Sequence, residues 1–77
     1  MNINEFVSLF AEQFVDPSET TFVPETKFHD LSGWTSMTAL LVITVIEENF
    51  GVLLSSDEFR KVQTIQELYD LIMEKKS

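Results

Sequence analysis

Thirteen acids against five bases give this 77-residue chain a net charge of −8. The length limits it to one small domain. The charge speaks against nucleic acid, whose phosphates need clustered Lys and Arg, and against anionic membrane surfaces. Without cysteine, and with His29 as the single histidine, neither disulfides nor a Cys or His metal cluster can hold the fold. Stability has to come from helix packing.

The N-terminal stretch MNINEFVSLF has no basic leader and carries Glu5 where a signal peptide is apolar. Ile3, Phe6, Val7, Phe10 and Phe14 follow the i, i+3, i+4 spacing of one buried stripe, which predicts a first helix over residues 3–14. Asn2 and Glu5 have capping-box spacing at its start. Asp16-Pro17 is expected to end it, because the residue before a proline is biased away from helical geometry.

A long connection, VDPSETTFVPETKFHDLSGW, shows no clear period. Loops of this length are uncommon in compact domains and tend to have a function. Phe22, Val23, Phe28, Leu31 and Trp34 are expected to anchor it over the bundle, with a helical turn over residues 27–31.

The second helix is predicted over residues 36–50, with Gly51 as its C-terminal stop. A short third helix follows over residues 56–62, with Ser55 and Glu58 as its capping pair. The fourth covers residues 65–75, capped by Thr64 and Glu67, with Ile65, Leu68, Tyr69 and Ile72 as its buried stripe. This is an all-α pattern: a four-helix bundle of three longer helices and one short one, with a long loop between helices 1 and 2. The apolar run at residues 40–46 is far shorter than the ~20 residues that span a bilayer, so a cytoplasmic protein without membrane insertion is expected.

At about 100° per residue, Ala39, Val42, Ile43, Ile46 and Phe50 gather on the core face of the second helix. Met37, Leu40 and Leu41 fall largely on the other side, with Thr44, Glu47 and Glu48. A central helix buried on several sides would account for this surplus. So would a partner-docking surface, which requires Met37, Leu40 and Leu41 to be accessible.

Ser36, taken by its position, is most simply an N-cap. A nucleophile needs an adjacent base and an orienting group. His29 is the only candidate base and is expected at the surface of the loop. Thr38 stands where a nucleophile elbow has its second glycine. The neighbouring acids Glu47-Glu48 and Asp57-Glu58 point in different directions on helices, which suits a solvated acidic face better than acid–base catalysis or a cation cage. No catalytic residue and no metal site is expected.

INEFVSLFAEQF, GWTSMTALLVITVIEENFGVLL, SSDEFRKV and TIQELYDLI, in this order and spacing, resemble an acyl carrier protein over the whole chain. The resemblance implies that Ser36 is the attachment point for 4′-phosphopantetheine, taken from coenzyme A by a phosphopantetheinyl transferase. The thiol of that arm would carry acyl groups as thioesters in fatty-acid or related (polyketide, envelope or other secondary) biosynthesis. The serine then needs no local base, since the modifying enzyme activates it. Partners would be acyl-transfer, synthase or ligase enzymes with basic patches, meeting a monomeric carrier at Thr35, Met37, Leu40, Leu41, Thr44, Glu47 and Glu48.

The chain departs from the family pattern beside the serine. Thr35 stands where the family usually has Asp, Met37 where it has Leu, and Leu41 and Leu53 where acids are frequent. Two other readings stay open: a carrier-like interaction module left unmodified at Ser36, and an acidic helical protein with an unrelated regulatory role.

Overall fold

The computed structural model describes residues 2–14 and 21–76. Among them are four α-helices: α1 (Ile3–Ala11), α2 (Ser36–Phe50), α3 (Ser56–Lys61) and α4 (Ile65–Lys76), with one 3₁₀ turn at Phe28–Asp30 before α2. This is the expected all-α architecture.

The α1 start is a capping box. The Glu5 N–H donates to Asn2 Oδ1 at 2.9 Å, and the Asn2 N–H donates to Glu5 Oε1 at 3.2 Å. The helix ends at Ala11 rather than Phe14. Its last turn tightens into i→i−3 bonds, Gln13 N–H to the Phe10 carbonyl and Phe14 N–H to the Ala11 carbonyl, both at 3.1 Å. Phe14 still reaches the core. The expected stop at Asp16-Pro17 lies outside the described residues.

Helix α2 has the predicted bounds. Gly51 closes it in the left-handed region at φ 69°, its N–H donating to the Glu47 carbonyl at 2.9 Å. Helix α3 begins with the predicted Ser55–Glu58 capping box and stops one residue before Val62. Thr64 and Glu67 cap α4 reciprocally.

Phe6, Phe10, Phe28, Ile46, Ile65, Leu68 and Ile72 are almost fully buried at the centre. Packing of α1 on α4 brings the Phe6 and Tyr69 rings to 5.4 Å. Among the described residues no buried side-chain nitrogen or oxygen lacks a partner.

The described part of the long connection is pinned at two places. At the α4 side, the Ile65 and Gln66 N–H groups donate to the Thr26 and Pro24 carbonyls at 3.2 and 2.8 Å. At the α2 side, Trp34 lies nearly parallel between Phe10 and Phe59, with centroids 6.1 and 5.6 Å away and interplanar angles of 4° and 2°. Gly33 fits because a Cβ there would meet Phe14 Cδ2 at 3.1 Å. Phe28 is the deepest anchor, whereas Val23 is exposed and anchors nothing, a correction to the sequence expectation. Its N–H instead bonds Thr26 Oγ1 in a local turn.

Candidate functional site

The start of α2 is held by a chain of hydroxyls. Thr35 has the extended backbone of an N-cap, and its Oγ1 accepts from the Thr38 N–H at 3.2 Å. The Thr38 hydroxyl donates to the Gly33 carbonyl at 3.1 Å. With that proton engaged, the 3.1 Å contact between the two threonine hydroxyls must run from Thr35 to Thr38. Thr38 is buried at 6% exposure, so each of its polar bonds matters. Sequence reasoning missed Thr38; the threonine pair three residues apart across the helix start was the available signal.

Ser36 is therefore not the N-cap, which corrects the expectation for it. It is the first residue inside α2, and Thr35 has taken the capping role. The consequence is chemical. Ser36 is exposed, and no described residue hydrogen-bonds its hydroxyl. That hydroxyl stands at the positive end of a 15-residue helix with no acid in its first turn. A negative charge there would meet the favourable end of the helix dipole.

His29 is half-buried rather than at the surface, also contrary to expectation. Its Nε2 lies 3.0 Å from the Val62 carbonyl, so that nitrogen carries the proton. The ring packs edge-on against Trp34 at 5.5 Å. The imidazole thus ties the loop to the α3–α4 link, and no hydrogen bond joins it to Ser36.

Beside Ser36 opens a groove of about 690 Å³, walled by Trp34, Leu40, Ile43 and Phe59 and bounded by His29 and Arg60. Three segments distant in sequence meet there. The acid pairs are split as their helical positions require. Asp57 pairs with Arg60 at 2.9 Å and Glu58 with Lys75 at 2.7 Å, while Glu47 and Glu48 are exposed on α2. Bonds from Lys75, and then from the Ser55 backbone, lower the Glu58 pKa to about 2. No cluster of three or more His, Cys, Asp or Glu placed to hold a metal ion occurs among the described residues.

On α2 the core face is Thr38, Val42, Ile46 and Phe50, with Ala39 and Ile43 half-buried beside it. Met37, Leu40 and Leu41 are 66%, 59% and 42% exposed, so the core does not account for them. Thr35, Thr44, Glu47 and Glu48 are exposed as well.

The family model described as "Phosphopantetheine attachment site" matches residues 4–72. The chain is also 33% identical over 69 residues to a protein of Thermosynechococcus vestitus named acyl carrier protein, covering 88% of this chain and 83% of that one. The chain belongs to the acyl carrier protein family. In acyl carrier proteins the matched domain is the site of covalent 4′-phosphopantetheine attachment, and the carriers are not themselves enzymes. No helix among the described residues is long and apolar enough to cross a membrane.

Proposed function

We propose that this acyl carrier protein bears 4′-phosphopantetheine on Ser36 and presents acyl groups as thioesters to partner enzymes in fatty-acid or related biosynthesis. The observation that carries the reading is the Thr35 cap, which leaves the Ser36 hydroxyl exposed and unpartnered at the positive end of α2. The arm arrives as a phosphodiester formed when the serine oxygen displaces 3′,5′-adenosine bisphosphate from coenzyme A; the serine proton leaves to a base of the transferase. The arm's terminal thiol supplies the thioester chemistry. The chain's own residues hold the acceptor and offer the outer face of α2, from Thr35 and Met37 through Leu40, Leu41 and Thr44 to Glu47 and Glu48, to a phosphopantetheinyl transferase and to acyl-transfer, synthase or ligase enzymes. The adjoining groove gives an attached chain an apolar wall at Trp34 and Phe59.

Intact-mass measurement after incubation with coenzyme A and a broad-specificity phosphopantetheinyl transferase tests this. One phosphopantetheine is expected on the wild type and none on Ser36→Ala. A wild type that gains no mass overturns the reading and leaves a carrier-like interaction module.

A further inference from the structure

The groove beside Ser36 has a polar neighbour. Its apolar wall is Trp34, Ala39, Leu40, Ile43 and Phe59, and Arg60 is the only Lys, Arg, Asp or Glu that lines it. Arg60 and His29 also line a second recess of about 310 Å³, completed by Lys27, Asp30 and Gln63. The two spaces thus adjoin across shared side chains. On α3, Ser56, Phe59 and Arg60 stand at i, i+3 and i+4, so one face of that helix supplies both apolar surface and a cation.

The charge here runs against the rest of the chain. Two of the five bases, Lys27 and Arg60, line the recess against one acid, Asp30, in a protein of −8. Neither base is firmly engaged. Lys27 is exposed and forms no ion pair among the described residues. Arg60 meets Asp57 at 2.9 Å, with the two side chains 71% and 83% exposed, and so open a pair contributes little and yields readily to another anion. His29 Nε2 gives its proton to the Val62 carbonyl, so holding an anion falls to the two bases.

We infer that the cargo this carrier favours is an acyl chain with an apolar body and a terminal carboxylate, the body against Trp34 and Phe59 and the carboxylate at Arg60 and Lys27. The inference rests on the proposed arm at Ser36, which brings a thioester to this groove, and adds the class of acyl group. A chain ending in a methyl group would cover the same apolar wall and leave both cations unmatched. On a chain of −8 an added carboxylate is repelled almost everywhere, so stabilisation by one points to these two bases.

The experiment loads wild type with octanoyl or suberoyl (the same chain length with a terminal carboxylate) from the coenzyme A thioesters, using a broad-specificity phosphopantetheinyl transferase and intact mass to confirm loading. Melting temperature and the emission of Trp34, the single tryptophan, are then compared. Trp34 emission should change in both forms relative to the unacylated arm. The suberoyl form is expected to melt about 3 °C above the octanoyl form, as for one exposed charge pair in a domain of this size, and added salt should shrink the difference. Arg60→Gln should lose most of that excess, Lys27→Gln a smaller part, and Arg60→Lys should keep most of it. Each variant is compared with itself in its two loaded forms, so a general loss of stability cancels. A wild-type suberoyl form that melts at or below the octanoyl form, an excess undiminished in Arg60→Gln, or Trp34 emission indifferent to both chains overturns the inference while the carrier reading stands. A wild type that gains no arm from coenzyme A itself removes the carrier reading first, and the inference falls with it.

Discussion

Two helix starts in this protein use the same hydroxyl cap and differ in what stands behind it. At α2, Thr35 caps Thr38, a neutral and buried partner that passes its own proton to Gly33. At α3, Ser55 caps Glu58, a charged partner held by Lys75 from the far end of α4. Both satisfy orphan N–H groups of a first turn. Only the second puts a carboxylate there. The neutral cap leaves the positive end of α2 without a carboxylate and insensitive to acid, while the charged cap makes the α3 junction a place where pH is felt.

Thr38→Ala perturbs the α2 start most severely, although the backbone N–H of residue 38 still reaches Thr35 Oγ1. It empties a buried position and removes the hydroxyl that joins Thr35 to the Gly33 carbonyl, and should cost about 2 kcal/mol in denaturant unfolding, within the range for losing buried hydrogen bonds. Thr35→Ala should cost about 1 kcal/mol, as for N-cap removal elsewhere. A double mutant losing clearly less than the sum of the two places both residues in one coupled unit; simple additivity breaks the description of a hydroxyl chain.

The charged cap gives a different signature. Glu58 titrates at about 2 in the folded chain, below its ordinary 4.5. A depressed folded pKa contributes stability that is complete above about 4.5 and disappears as pH falls towards 2. Lys75→Met removes the largest cause, so the Glu58 carboxyl should move up towards 4.5 when followed by NMR, and this part of the acid limb should flatten. A Glu58 titration unchanged in the variant breaks the assignment to Lys75.

The smallest effect separates the two caps most sharply. Asp is as good an N-cap as Thr or better, so Thr35→Asp should leave stability within about 0.5 kcal/mol of wild type. It also makes the α2 start resemble α3 by giving it a titratable cap. Its unfolding free energy should then fall between about pH 4 and 2, where wild-type α2 contributes no such dependence. Equal acid limbs in the two proteins would remove the contrast.

The comparison also marks where sequence reasoning reached. The capping boxes at Asn2 and Ser55, the reciprocal Thr64–Glu67 pair, the bounds of α2 and the Gly51 stop were all legible. Each is a contact between residues three or four apart, and the helix period brings those together in any fold. The exposure of Met37, Leu40 and Leu41 was readable as surplus over the core face for the same reason.

The sequence by itself determined the helices, the caps of α1, α3 and α4 and the uncharged start of α2 around Ser36. Only the tertiary structure decided that Thr35, not Ser36, is the cap. The choice lies one residue apart and turns on Thr38 being buried with the Gly33 carbonyl within reach of its hydroxyl. Only it could bring His29 to the Val62 carbonyl, 33 residues away, or assemble the groove from the loop, α2 and α3. Local hydrogen bonds follow from spacing along the chain. A free hydroxyl beside an apolar wall follows from packing, which depends on residues that no periodicity brings together.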